Sequence, residues 1–139
     1  MKQIVPVSTI MTKNVVKLLL SDDLTRAESL FKNHQIRHIP VVNGNSIVGM
    51  LSYTDLLRIS IADAIDEEEQ EIDVTVYNMF SIEQVMARNL VKVTPETSIR
   101  EVAQILSKSE FHALPVVEGE LLVGIVTTTD LIKYLLEQY

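Results

Sequence analysis

The chain says nearly everything twice. At one offset of 75 residues, without a gap, Met11 aligns with Met86, Asn14 with Asn89, Val16 and Lys17 with Val91 and Lys92, and Pro40-Val41-Val42 with Pro115-Val116-Val117. Gly44 meets Gly119, Val48-Gly49 meets Val123-Gly124, and Thr54-Asp55-Leu56 meets Thr129-Asp130-Leu131. Substitutions elsewhere are mostly conservative, such as Leu24 for Ile99, Ile39 for Leu114 and Ser52 for Thr127. A gapless register through both halves marks a duplicated unit. A unit of about 50–60 residues buries too little surface to be robust alone, so the two copies are expected to pack face to face with pseudo-twofold symmetry.

Each copy reads as strand, helix, strand, strand, helix. Asn14 to Leu19, and Asn89 to Thr94, are β-branched and leucine-rich, which predicts a short first strand. Ser21-Asp22-Asp23 and Glu96-Thr97-Ser98 supply capping residues. The helices that follow carry one apolar face: Leu24, Ala27, Leu30 and Phe31 in the first copy, Ile99, Val102, Ala103 and Leu106 in the second. His38 to Val42 and Ile47 to Leu51 read as strands joined by Asn43-Gly44. That pair suits a type I′ turn, in which both central residues have positive φ. A last helix is expected from Thr54, and from Thr129. The fold class is therefore α+β, with a first repeat over 1–62, a connector over 63–78 and a second repeat over 79–139.

The excess negative charge is confined to the connector. The net charge is −7, and seven acids without a base (Asp63, Asp66, Glu67, Glu68, Glu69, Glu71 and Asp73) lie in one run. Setting them aside leaves 12 acids against 12 Lys plus Arg, so the body of the protein is balanced. The run repels itself and is expected to stay solvated, while Asp73 to Tyr77 is apolar enough to be ordered again. No broad basic face for nucleic acid is evident. Cysteine is absent, which excludes disulfides, thiolate metal sites and a cysteine nucleophile. Neither an apolar signal-peptide core nor a membrane-length apolar run is present, so a soluble cytoplasmic protein is expected.

The chemistry concentrates in Gly49-Met50-Leu51-Ser52-Tyr53-Thr54-Asp55 and its echo Gly124-Ile125-Val126-Thr127-Thr128-Thr129-Asp130. Two readings stand side by side. Ser/Thr-x-x-Asp before an apolar run is close to a capping box, and an aspartate in the first turn favours the helix dipole. The same carboxylate can also accept both hydroxyls of a ribose. The hydroxyls of Ser52 and Thr54, or of Thr127 and Thr129, with the free amides of the helix start, can hold phosphate oxygens. The glycine before them allows a ligand or a backbone to approach closely.

A β-α-β-β-α unit present twice, with Ile39-Pro40-Val41-Val42 or Leu114-Pro115-Val116-Val117, then a glycine, two apolar residues and Ser/Thr-x-x-Asp, resembles the cystathionine-β-synthase (CBS) domain family. Residues 5–60 and 80–139 resemble its two copies. The resemblance implies a CBS pair, or Bateman module: a regulatory unit that binds adenosine-containing ligands (AMP, ADP, ATP or related adenosyl compounds) in clefts between the repeats. It implies no catalysis, no required cofactor, a homodimer and a regulated partner protein that the sequence does not name. By the resemblance Ser52, Thr54, Asp55, Thr127, Thr129 and Asp130 are ribose and phosphate contacts. Arg37 and His38, before Pro40, would touch phosphates; the second repeat offers only His112 followed by Ala113. Thr94-Pro95 matches a hydroxyl-proline pair that lines the nucleotide pocket, where the first repeat has Leu19-Leu20. The two clefts should then be unequal, Asp55 with Thr94 being better equipped than Asp130 with Leu19. A ligand-free dimerisation or interaction module is the alternative.

Other chemistry finds little support. His34 and His38 have zinc-ligand spacing for a helix, but His38 falls in a strand-like run before Pro40, so no metal site is expected. The acidic run lacks the spacing and glycine turn of a calcium loop. No glycine-rich phosphate loop and no H-E-x-x-H motif occurs, and the chain has only four glycines. No catalytic residue is assigned.

Overall fold

The computed structural model describes residues 4–64 and 77–139, with 60–64 as backbone. The acidic run from Asp66 to Asp73 lies outside the described residues. The chain forms two compact units that do not follow the sequence repeats. One is Val16–Asn89; the other joins Met1–Val15 to Leu90–Tyr139. Both mix helix and sheet.

In Val16–Asn89, β1 (Leu18–Leu19) runs parallel to β2 (His38–Asn43), and β2 pairs antiparallel with β3 (Ser46–Ser52). Helix α1 (Leu24–His34) connects β1 to β2. It starts at Asp23, whose carboxylate accepts the Arg26 N–H at 2.8 Å. It ends at Gln35 in the left-handed conformation, φ 53° and ψ 43°. That ending separates His34 from His38, which opens β2, so the two imidazoles share no helical face. Helix α2 (Tyr53–Ala64) follows β3 without a loop, and a single turn, α3 (Ile82–Val85), completes the unit. Leu18, Leu24, Ala27, Phe31, Ile39, Val41, Leu51, Leu56, Ile82 and Met86 form its core.

The other unit has the same plan. Helix α4 (Ile99–Ser107) is capped by Ser98, whose hydroxyl accepts the Glu101 N–H at 3.0 Å. Strands β4 (Ala113–Glu118) and β5 (Leu121–Thr127) form the hairpin, and α5 (Thr128–Glu137) follows directly. Val7, Val93, Val102, Leu106, Leu114, Val116 and Val126 form the core. Even an irregularity is duplicated: both hairpins shift register between equivalent valines, Val41/Val42 and Val116/Val117.

Each unit is closed by a segment that the sequence duplication assigns to the head of the other copy. A 3₁₀ turn at Val7–Thr9 sinks Val7 completely, and the chain is tied down by Val7 N–H to Thr97 O (2.7 Å), Ile99 N–H to Val5 O (2.9 Å) and a mutual pair between Thr12 and Ile125 (2.8 and 3.0 Å). Seventy-five residues on, Ile82 is likewise fully buried and Ala87 exchanges hydrogen bonds with Met50 at 2.8 and 3.0 Å. The matched methionines lie over the matched glycines. A Cβ added to Gly49 would stand 2.2 Å from the Met86 sulfur, and one added to Gly124 would stand 2.7 Å from that of Met11. These glycines admit methionine side chains.

Three local expectations are corrected. The first strand shrinks from Asn14–Leu19 to Leu18–Leu19, and in the second copy to one parallel bridge between Val93 and Val116. Ladder pairing covers only these residues, with one further bond from the Leu20 N–H to the Val42 carbonyl at 2.9 Å; β-branched composition marks extended chain but does not supply a partner. The turn centres one residue later than Asn43-Gly44. Asn43 still pairs with Ser46, and Gly44 alone has positive φ (64°), as does Gly119 in the second hairpin (64°). A glycine at the first central position is the type II′ signature rather than type I′. Both closing helices begin one residue earlier than expected, at Tyr53 and Thr128.

Candidate functional site

The strand-to-helix junctions carry the motif. Because α2 follows β3 immediately, Ser52 is both the last strand residue and the helix cap. Its hydroxyl accepts the Asp55 N–H at 3.0 Å, and one Asp55 carboxylate oxygen accepts the Ser52 N–H at 3.4 Å. The other oxygen stands 3.7 Å from the Arg58 guanidinium. Register brings in the basic pair: His38 lies opposite Ser52 across the β2–β3 ladder, and the Arg37 carbonyl accepts the Tyr53 N–H at 2.8 Å. Arg37 is exposed and His38 half-buried, while Thr54 projects on the exposed side. Ser52, Thr54, Asp55, Arg37 and His38 thus meet at one end of one hairpin. Tyr53 braces the junction from within, its ring edge-on to Phe31 at 5.4 Å.

The second copy repeats the arrangement. The Thr127 hydroxyl accepts the Asp130 N–H at 3.2 Å, and the Asp130 carboxylate accepts the Thr127 N–H at 2.9 Å. Thr128 donates to the His112 carbonyl from its N–H (2.9 Å) and from its hydroxyl (3.3 Å). Thr129 and His112 are exposed, and Ala113 stands opposite Thr127. Thr127, Thr129, Asp130 and His112 therefore come together as well.

Within its own unit Thr94 stands apart from this group. It follows the Val93–Val116 bridge, level with Val117, whereas His112 precedes the opposite end of β4. Four strand residues separate the two ends, about 13 Å. The Thr94 hydroxyl is engaged locally, 3.2 Å from that of Thr97. The equivalent Leu19 and Leu20 line an open cavity of about 450 Å³ with Ser21, Val42, Asn43 and Gly44, at the far end of its hairpin from Asp55.

Both aspartates are therefore the third-residue partners of a capping box, where glutamate or glutamine is more usual. Capping occupies one carboxylate oxygen and leaves the other to accept from a hydroxyl. Early helix amides and the exposed Thr54 or Thr129 hydroxyl lie beside it, a set suited to an anionic or hydroxyl-rich ligand. Among the described residues no group of three or more metal-ligating side chains is assembled, and no helix is long and apolar enough to cross a membrane. What sequence reasoning missed is the methionine-on-glycine contact. Its signal was present, since Met11/Met86 and Gly49/Gly124 repeat at the same offset.

The CBS domain model matches the chain twice, over residues 7–62 and 82–137. The chain belongs to the CBS domain family. It is 29% identical over 121 residues to the CBS domain-containing protein YhcV of Bacillus subtilis (strain 168), covering 87% of this chain and 79% of that one. Its fold matches the CBS domain pair of protein MJ0100, solved with 5′-methylthioadenosine and S-adenosyl-L-methionine, with a TM-score of 0.80, 24% identity, and coverage of 99% and 100% of the two chains. It also matches CBSX2 in complex with AMP, with a TM-score of 0.77, 22% identity, and coverage of 96% and 98%. At those identities the likeness to the two complexes establishes the CBS-pair fold.

Proposed function

We propose that this CBS pair is a cytoplasmic, non-catalytic regulatory module that binds an adenosine-containing ligand at its strand-to-helix junctions and thereby changes its affinity for a partner protein. The observation that carries the proposal is the duplicated array of a capping hydroxyl, an aspartate with one oxygen outside the cap, and an exposed threonine at a helix start. In this reading Asp55 and Asp130 accept ribose hydroxyls, Ser52, Thr54, Thr127 and Thr129 face phosphate or ribose oxygens, and Arg37, His38 and His112 lie beside the ligand. Thr94 lines the base-binding surface. The CBS pairs solved with AMP, methylthioadenosine and S-adenosylmethionine support this choice of ligand class.

Calorimetry with AMP, ADP, ATP, S-adenosylmethionine and adenosine tests the proposal. Binding of at least one is expected, weakened by Asp55→Asn or Asp130→Asn. Silence from the whole set would refute it.

One observation favours a second reading, a ligand-free homodimerisation module. Helix α5 has no buried residue and exposes Ile132, Leu135 and Leu136. The readings separate by melting temperature. A ligand that binds only the folded form must raise it, whereas a pure assembly module shows no nucleotide-dependent rise.

A further inference from the structure

The two copies of the motif sit in different charge, and we infer that they sort adenosyl ligands by it. The Asp55 site takes a phosphate-bearing nucleotide, while the Asp130 site takes an adenosyl compound without phosphate, such as a sulfonium. This rests on the adenosyl-binding reading above.

Two arginines belong to the Asp55 junction. Arg37 is anchored at the helix start through its carbonyl (Tyr53 N–H, 2.8 Å), while its exposed side chain makes no ion pair among the described residues. Arg58, one turn into α2, lies 3.7 Å from the carboxylate, and His38 is directly across the ladder from Ser52. At the equivalent positions the second copy has His112, Lys133 and Ala113. No guanidinium remains, and Lys133 makes no ion pair among the described residues. Exposed Glu110 adds a negative charge where the first copy has Gln35. Counting Asp, Glu, Lys and Arg alone, the Asp55 neighbourhood carries one net positive charge (Arg37 and Arg58 against Asp55) and the Asp130 neighbourhood one net negative charge (Lys133 against Asp130 and Glu110). A phosphate monoester brings about −1.5 to −2 charges at neutral pH, and the guanidinium is the side chain whose planar fork matches its oxygens. A sulfonium gains from the opposite field, since Asp130 makes no ion pair among the described residues whereas Asp55 has Arg58 at 3.7 Å.

The test uses the full chain with one junction weakened at a time. Asp→Asn keeps an amide oxygen that can still accept the cap N–H but removes the charge that holds ribose. In Asp130→Asn protein, calorimetry should find AMP bound about tenfold or more tighter than S-adenosylmethionine. In Asp55→Asn protein the order should reverse. Adding Arg37→Gln to the Asp130→Asn protein should bring AMP down to the affinity of adenosine, and raising salt should narrow the same gap. The same AMP to S-adenosylmethionine ratio in both single variants would overturn the inference while leaving adenosyl binding intact. So would an AMP preference over adenosine that survives Arg37→Gln. Failure of the unsubstituted protein to bind any of the three would overturn this inference, and silence from ADP and ATP as well would overturn the adenosyl reading.

Discussion

Replacing Gly49 by alanine should cost far more than a methyl group on a strand ordinarily does. The added Cβ would lie 2.2 Å from the Met86 sulfur, 2.8 Å from its Cγ and 3.0 Å from its Cε. Comfortable contact needs about 3.5–4.0 Å, so the sulfur must retreat by about 1.5 Å. Met86 is only 8% exposed and has little room to do so. Overpacking of this kind costs about 1–3 kcal/mol, and full expulsion of the side chain from the core about as much. At roughly 3–4 °C per kcal/mol for a chain of this size, the melting temperature should fall by about 3–12 °C. Urea unfolding followed by circular dichroism gives the free energy. The decisive comparison is a double-mutant cycle with Met86→Ala, which deletes all three clashing atoms. Gly49→Ala should then be nearly harmless, giving a coupling above about 1 kcal/mol. Gly44→Ala is the control. Its φ of 64° strains any L residue, but nothing lies within 4 Å of the new Cβ, so its cost of about 1–2 kcal/mol should not depend on Met86. Hydrogen exchange adds a local readout: the Met50 and Ala87 amides, bonded to each other's carbonyls, should lose protection in Gly49→Ala. Additivity of Gly49→Ala and Met86→Ala within about 0.5 kcal/mol would refute the steric account.

Gln35→Gly should stabilise the protein by about 0.5–1 kcal/mol, measured by the urea midpoint, because Gln35 holds a left-handed C-cap that costs glycine nothing. Ser52→Ala and Thr127→Ala should each cost about 1 kcal/mol, since each removes the hydroxyl that accepts a first-turn amide, the Asp55 N–H at 3.0 Å or the Asp130 N–H at 3.2 Å; thermal denaturation checks both. Tyr77→Phe should cost about 1–3 kcal/mol, because the nearly buried phenol donates to the Glu28 carboxylate; chemical denaturation of the single variant and of its pair with Glu28→Gln checks the coupling.

Much of this was legible in the sequence, and the reasons are local. Hairpins with Pro-Val-Val on one arm and a glycine turn, and helices with one apolar face, satisfy themselves within a few residues, and the duplication read each of them twice. The first strand is shorter than its composition suggests because pairing depends on a partner, and of Asn14 to Leu19 only Leu18 and Leu19 pair with β2. The turn slipped by one residue because Asn43-Gly44 and Gly44-Asn45 are both good turn dipeptides, and the choice depends on how Asn43 pairs with Ser46. The junction residues Ser52, Asp55, Thr127 and Asp130 were identified, but the two readings could not be separated by residue type, since a cap and a ribose site ask for the same oxygens. For Met11 and Met86 the sequence marks the methionine and the glycine by their shared offset but not which glycine each methionine covers. Nothing in a linear reading says that a segment passes over the repeat next to it in sequence and closes the other.

That exchange gives the duplication a thermodynamic meaning. Thr12 and Ile125 lie near opposite ends of the chain, so their contact closes almost the largest loop available and belongs to the slow, late part of folding. A single repeat would keep its own leading segment but lack the one that fills the groove over its glycine. It could obtain that segment only by trading with a second molecule, at a cost set by dilution. Joining the copies turns the trade into an intramolecular event at high effective concentration. Severing the connector should therefore yield halves whose stability depends on their concentration, a property that neither repeat reveals while the chain is whole.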